Sequence, residues 1–197
     1  MKLTCIGLAL LLFCMMSRYM LHGLGRSNLI TRRFIKSAVP CTCTKPAVIS
    51  SSKESYSWVM QFDGGSRGNP GLGGSGAVIY SCENNKLNEV WCGYFFSGPT
   101  GVTNNVAEYE GLIQGLKQCA KMKIRNVLIQ GDSELILRQV QKIYKVRQPQ
   151  LKLLYAKVMK LLMKVPESSF KHIYRAENAR ADELSNIAMD TTSSFSF

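Results

Sequence analysis

The chain has 197 residues, of which 46% are apolar and 19% are charged, and it carries a formal net charge of +12. This length suits one globular domain plus an additional segment. The composition excludes a wholly disordered chain, a collagen-like repeat and a multi-span membrane protein. The charge is uneven, because residues 1–53 contain eight basic residues and no acidic one. The rest of the chain is only mildly basic, so charge alone does not establish a polyanionic partner.

The N-terminal segment, residues 1–55, contains an apolar run at 3–16 that is followed by an arginine-bearing, acid-free stretch. The run is shorter than the roughly 20 residues that a membrane-spanning helix needs, so we expect no stable membrane anchor. The pattern is more typical of an organellar transit peptide than of a secretory signal, and a disordered basic tail is the structural alternative. We predict import into the mitochondrion, with the plastid as the alternative, and a linker that ends near residue 55.

Seven cysteines, an odd number, occur along the chain without any CxxC pair. Neither histidine has a cysteine at zinc-ligand spacing, so a structural zinc site is not expected. The cysteine pattern therefore favours free thiols in a reducing compartment over a disulfide framework.

The folded domain is predicted to cover residues 56–190, with residues 191–197 as a C-terminal tail. Short apolar runs predict strands at 58–65, 76–81 and 90–98, and the short turns between them favour an antiparallel meander. Apolar residues at helical spacing then predict a helix that is capped by Asn104 or Asn105 and ends near Lys121.

The second half of the domain alternates strands and helices. The pattern predicts, in order, a strand at 127–133, a helix from a Ser133 cap to about 143, a helix across 151–162, a strand at 169–175 and a helix from Asn178 to Met189. The order βββαβααβα is typical of an α/β domain with a mixed five-stranded sheet flanked by helices.

Four carboxylates lie where predicted strands end or helices pack against them: Asp63, Glu108, Asp132 and Asp182. Each one alone has a structural explanation, such as a helix-dipole partner, a strand-end cap or a surface charge. Gathered at the ends of central strands, they would repel one another, and divalent cations with oxygen ligands would neutralise them. The placement therefore suggests a two-metal site.

Four motifs occur along the domain: FDGGSRGNPGLGGSGAV, TNNVAEYEGLIQGL, IQGDSELILRQV and HIYRAENARADELSNIAM. In this order they resemble the ribonuclease H type 1 family, in particular its plant and archaeal branch, over nearly all of residues 58–189. The resemblance implies a ribonuclease H-like fold and two-metal-ion hydrolysis of the RNA strand of RNA/DNA hybrids. It also implies that the four carboxylates are catalytic ligands of Mg²⁺, with Mn²⁺ as an alternative, and we expect a monomer.

The resemblance extends to residues that assist the reaction or contact the hybrid. His172 and Arg175 match positions linked to proton transfer or product release, although a packed strand histidine and an exposed strand-end charge are the structural alternatives. A second set matches positions that contact 2′-hydroxyls and bases in the minor groove: Gly64, Asn69, Asn104 and Asn105. Helix capping at Asn104 or Asn105 and a turn at 69–71 are the alternatives for this set.

One feature of some bacterial family members, a basic protrusion rich in tryptophan, is missing from this sequence. A shorter basic segment at 142–152 contains Lys142, Lys145, Arg147 and Lys152, which either contact phosphates or form a solvated face. This departure from the family pattern therefore predicts weak hybrid binding. Two competing functions are a catalytically inactive nucleic-acid-binding module and another polynucleotidyl transferase or exonuclease on the same fold. The four carboxylates and the full motif set favour the hybrid ribonuclease.

Overall fold

Three long strands begin the described part of the chain, which covers residues 56–83 and 86–197 of the computed structural model. They are β1 (Trp58–Arg67), β2 (Gly71–Glu83) and β3 (Lys86–Val102), and each pairs antiparallel with the next. The predicted meander is therefore confirmed, although every strand extends beyond its predicted bounds.

The glycine-rich stretch of β2 belongs to the sheet, whereas the sequence predicted a turn between 65 and 76. Gly74 and Gly76 pair with Gly65 and Asp63 across the ladder. A Cβ on Gly76 would lie 2.4 Å from the backbone oxygen of Ala181, so only glycine leaves room for the helix that packs there. Close helix packing, rather than turn formation, explains these glycines.

The remaining elements alternate along the chain as predicted. They are α1 (Asn104–Lys121), β4 (Val127–Gly131), α2 (Glu134–Val140), α3 (Pro149–Leu162), β5 (Ser169–His172), α4 (Ala179–Thr191) and β6 (Phe195–Ser196), with a short 3-10 turn at Arg175–Glu177 before α4. The sheet order is β5-β4-β1-β2-β3-β6, and β4 runs parallel to both β1 and β5. The mixed sheet with helices is thus confirmed.

Several details differ from the sequence prediction. Three elements end earlier than predicted, namely β4 at Gly131, α2 at Val140 and β5 at His172. The sheet has six strands rather than five, because Phe195 and Ser196 pair with the edge of β3. A two-residue strand is too short to produce a detectable alternation of apolar and polar residues. Helix α1 is capped by Thr103, whose Oγ1 accepts a hydrogen bond from the amide of Val106, so neither predicted asparagine is the cap.

The sheet carries helices on both faces, and the alternation of side chains along β1 determines which residue meets which helix. Asp63 points to α4, where its carboxylate accepts a hydrogen bond from Ser185. Gly64 points to the opposite face, where its Cα lies against the backbone of α1 at Ala107. The larger core lies on the α1 face and a smaller one, which includes Val78, lies under α4.

Within the described residues, no helix combines the length and apolar composition needed to cross a bilayer. Cys82, Cys92 and Cys119 are free thiols, as the cysteine pattern predicted for them. The predicted transit segment and linker, residues 1–55, lie outside the described residues.

Candidate active site

The four carboxylates singled out in the sequence line a single cleft of about 310 Å³. Asp63 and Asp132 meet there because β1 and β4 are parallel neighbours in which Gln61 pairs with Gln130, and each aspartate lies two positions after that pair. Glu108 lies in the first turns of α1, and Asp182 lies in the first turn of α4. Four separate elements therefore bring negative charge to one place.

Asp63 is the most enclosed of these acids, with only 8% of its surface exposed. Its Oδ2 accepts a hydrogen bond of 2.7 Å from the Ser185 hydroxyl, and its carboxylate accepts another from the amide of Gly64. Burial raises the pKa of Asp63 to about 6, and the nearby charges of Asp132 and Asp182 add to the shift. The surroundings of Asp63 thus destabilise its ionised form relative to its protonated form.

Glu108 approaches β1 because Gly64 has no side chain at the point where α1 crosses. A Cβ there would lie 2.2 Å from the backbone carbon of Ala107. The Ser133 hydroxyl donates a hydrogen bond to Glu108 Oε2, whereas the sequence predicted that this serine would cap α2. Burial raises the pKa of Glu108 to about 7, with further contributions from the charges of Asp63 and Asp132.

The other two carboxylates are held by side chains from the loop and helix that follow β5. Asn178 donates from Nδ2 to the backbone oxygen of Phe62, at 2.9 Å, and to Oδ1 of Asp132, at 3.1 Å. Asn178 occupies the predicted cap position of α4, but its side chain bonds to the sheet instead. Asp182 forms an ion pair of 2.5 Å with Arg175 and accepts a hydrogen bond from Asn186.

The donor set of this cleft suits a hard divalent cation, because it consists of carboxylate oxygens. Across residues 56–83 and 86–197, however, no three His, Cys, Asp or Glu side chains already stand in an arrangement that would hold a metal ion. Each carboxylate instead has a protein partner of its own, and mutual repulsion opposes closer approach. A bound cation would offset that repulsion. The four carboxylates therefore fit a divalent cation by their chemistry, although they are not yet close enough together to ligate one.

The raised pKa of Glu108 predicts a specific pH dependence of stability. In the presence of EDTA, Glu108→Gln is expected to be more stable than wild type by about 1–3 kcal/mol at about pH 8. The folded state binds the Glu108 proton more tightly than the unfolded state does, so wild-type stability falls as the pH rises from 4.5 through about 7. Below about pH 4.5 the difference disappears. Urea unfolding of both proteins across this range is the measurement, and parallel stability curves would contradict the prediction.

Arg175 and His172 occupy different places. Arg175 lines the cleft with 75% of its side chain exposed. His172 lies at the end of β5, outside the lining of the cleft, and its Nε2 is 3.1 Å from the backbone oxygen of Asp132. The structure therefore places the arginine, and not the histidine, in the cleft.

Of the four residues predicted to contact a nucleic acid, Gly64 and Asn104 line the cleft. Asn104 Oδ1 accepts a hydrogen bond from the amide of Ser66, which ties α1 to the end of β1. Asn69 lies outside the lining, in the turn between β1 and β2, and its Oδ1 accepts from the amide of Asn104. Asn105 is half-buried and also lies outside the lining.

The hydrogen-bond donors that hold the carboxylates were not predicted from the sequence. Ser185 and Asn186 follow Asp182 by three and four positions, the spacing that places residues on one helix face, so helical spacing could have pointed to them. Ser133 and Asn178 were assigned only as caps.

Comparison with known proteins agrees with this fold. A family model described as "Reverse transcriptase-like" matches residues 61–188. Bifunctional protein Rv2228c of Mycobacterium tuberculosis is 36% identical over 132 residues, which cover 67% of this chain and 35% of that protein. Ribonuclease HI of Halobacterium salinarum is 35% identical over 131 residues, which cover 66% of this chain and 62% of the relative. The chain therefore spans about a third of the length of the first relative and under two thirds of the second.

A solved structure with a similar fold is LC11-RNase H1 in complex with an RNA/DNA hybrid. Its TM-score is 0.60 at 42% identity, over 68% of this chain and 98% of that chain. The fold and the carboxylate-lined cleft define a ribonuclease H-like domain, which confirms the fold that the motifs implied. The chain belongs to the reverse transcriptase-like family.

Proposed function

We propose that the protein is an endoribonuclease that hydrolyses the RNA strand of RNA/DNA hybrids and leaves 5′-phosphate and 3′-hydroxyl ends. The observation that carries this proposal is the convergence of Asp63, Glu108, Asp132 and Asp182 on one cleft from four separate elements. The relative named Ribonuclease HI and the neighbour crystallised with an RNA/DNA hybrid support the same activity.

The four carboxylates would hold Mg²⁺, with Mn²⁺ as an alternative. Such cations, when bound, supply positive charge that lowers the pKa of an attacking water and stabilises the departing oxygen. The protein contributes carboxylates whose ionised forms are destabilised by burial and by mutual repulsion. A cation would relieve this destabilisation. The charge of Asp63 acts on Glu108, and the charges of Asp132 and Asp182 act on Asp63, so Asp63 would be the central ligand of such a group.

Arg175 would bring positive charge to the mouth of the cleft. Its guanidinium is exposed and pairs with Asp182, so it can exchange that carboxylate for a phosphate oxygen of the scissile strand. This supports Arg175 as the residue that stabilises the leaving group. His172 would act only after moving away from the backbone oxygen of Asp132, and it remains the second candidate.

Asn104 and Gly64 would distinguish RNA from DNA. The Oδ1 atom of Asn104 accepts a hydrogen bond from the backbone amide of Ser66, whereas its side-chain Nδ2 donates to no atom of the described residues. A free amide donor at the cleft suits a ribose 2′-hydroxyl. Asn69 supports this position by holding the backbone amide of Asn104.

The test of this function is cleavage of a labelled RNA/DNA hybrid by the full-length protein in Mg²⁺, compared with double-stranded RNA and double-stranded DNA of the same sequence. We expect internal cuts in the RNA strand of the hybrid and none in either duplex. EDTA should abolish cleavage, and Mn²⁺ should restore it. Binding of the hybrid without cleavage in any divalent cation would instead support an inactive nucleic-acid-binding module.

Two further properties are proposed, the cellular destination and the oligomeric state. Import into the mitochondrion is supported by the arginine-bearing, acid-free stretch within residues 1–53, and the plastid is the alternative destination. A monomeric state is consistent with a cleft whose four carboxylates all come from one chain.

A further inference from the structure

Ser185 contacts the carboxylate at the centre of the proposed site although it lies 122 positions from it along the chain. The serine is on α4 and only 1% of its surface is exposed. Its Oγ is 2.7 Å from Asp63 Oδ2 and 2.9 Å from the backbone oxygen of Asp182. The hydroxyl has a single hydrogen, so it donates to one of these acceptors at a time.

Of these two acceptors, the Asp63 carboxylate is the stronger. A hydrogen bond to an ionised carboxylate is roughly twice as strong as one between neutral groups. The backbone oxygen of Asp182, moreover, already accepts a hydrogen bond of 2.9 Å from the side chain of Asn186. The Ser185 hydroxyl therefore donates its hydrogen bond to the ionised Asp63 carboxylate rather than to the backbone oxygen of Asp182 in its own helix.

The position of Ser185 is fixed by the packing of α4 on β2. A Cβ on Gly74 would lie 2.7 Å from the backbone oxygen of Ser185, and one on Gly76 would lie 2.8 Å from its backbone nitrogen. Helix and strand are thus in direct backbone contact on either side of this residue. Such contact leaves little freedom for the hydroxyl to drift from Asp63.

The Asp63 carboxylate needs a fixed hydrogen-bond donor because nearby carboxylates repel it. The charges of Asp132 and Asp182 both act on its carboxylate. Among the described residues, the hydrogen bonds given to this carboxylate come from Ser185 on one helix and from the adjacent Gly64 amide. Without Ser185, nothing on α4 would hold Oδ2 in place.

We propose that Ser185 is a positioning residue, which orients the Asp63 carboxylate so that it is ready to ligate a divalent cation. This inference rests on the proposed function. Removal of a side chain that orients a metal ligand typically lowers metal affinity or activity by roughly 10- to 100-fold. We expect the same loss of metal affinity when the Ser185 hydroxyl is removed, and it should be measurable in the absence of substrate.

The experiment compares Ser185→Ala, which removes the donor, with Ser185→Thr, which keeps a hydroxyl. Ser75→Ala is the matched control, because Ser75 is a fully buried serine whose hydroxyl contacts the backbone of Phe95 and does not line the cleft. Binding of Mn²⁺ alone to each full-length protein is followed by the loss of the free-ion electron paramagnetic resonance signal. Thermal unfolding and the Mg²⁺ concentration for half-maximal hybrid cleavage are recorded in parallel.

We expect Ser185→Ala to weaken Mn²⁺ binding roughly 10- to 100-fold and to raise the Mg²⁺ requirement for cleavage similarly. Ser185→Thr should bind Mn²⁺ close to wild type, and Ser75→Ala should lose stability without losing Mn²⁺ affinity. Unchanged Mn²⁺ affinity in Ser185→Ala, alongside a wild type that cleaves hybrids, would overturn the positioning role alone. A wild type that cleaves nothing, alongside weakened Mn²⁺ binding in Ser185→Ala, would overturn the proposed function and leave the positioning role standing.

Discussion

Asp63→Asn is expected to lower the rate of hybrid cleavage at saturating Mg²⁺ by at least about 1000-fold, since several kcal/mol of charge stabilisation would be lost. Asparagine matches aspartate in size and can still accept the Ser185 hydrogen bond through its side-chain oxygen. It cannot supply negative charge to a cation. The substitution therefore separates the charge of this side chain from its shape.

The loss of activity should occur in a fully folded protein. Burial raises the pKa of Asp63 to about 6, so the ionised side chain is a cost to folding at about pH 8, which a neutral amide removes. We expect the unfolding temperature of Asp63→Asn to equal or exceed that of wild type. Glu183→Gln is the control, because this exposed carboxylate pairs with Arg180 and neither of these two residues lines the cleft. Substantial cleavage by Asp63→Asn would refute the assignment of the site.

The regular elements were predictable where side chains follow a period. Helix α1 buries Tyr109, Leu112, Ile113 and Leu116, which is the i, i+3, i+4, i+7 pattern that the sequence contains. The glycine-rich start of β2 was not predictable in this way, since glycine carries no hydropathy signal. Its place in the sheet depends on α4, a helix that lies about a hundred residues later in the chain.

The site was predictable to a different degree. The carboxylates stand inside recognisable motifs, and parallel pairing of β1 with β4 brings two of them together. Their hydrogen-bond partners could not be assigned, because the pairing of Ser185 with Asp63 or of Asn178 with Asp132 depends on tertiary packing. Local patterns suggested capping for Asn178, Ser133 and Asn104, whereas the structure uses each side chain for a longer-range bond. Tertiary bonds overrode the local preference at all three positions.

Gly64→Ala tests whether close backbone packing, and not only the charge of the four acids, determines the activity. The added methyl group would lie 2.2 Å from the backbone of Ala107, so α1 must shift away from β1. Overpacking of this kind costs typically about 1–3 kcal/mol, and here the clash is with backbone, which cannot rotate out of the way. We expect the variant to lose stability by that amount or more and to cleave hybrids roughly 100-fold more slowly, as a displacement of about 1 Å can produce.

Gly65→Ala is the matched control for stability. It adds the same methyl group one residue later, where the nearest atom is the flexible Met189 Cε at 3.5 Å. Urea unfolding should therefore show a large loss for Gly64→Ala and little change for Gly65→Ala. Because α1 carries Glu108, the shift should also weaken Mn²⁺ binding to the folded protein, measured below the unfolding transition. If Gly64→Ala were as stable as wild type, α1 could not be in the backbone contact with β1 that brings Glu108 to Asp63, and the geometry of the site would need to be redrawn.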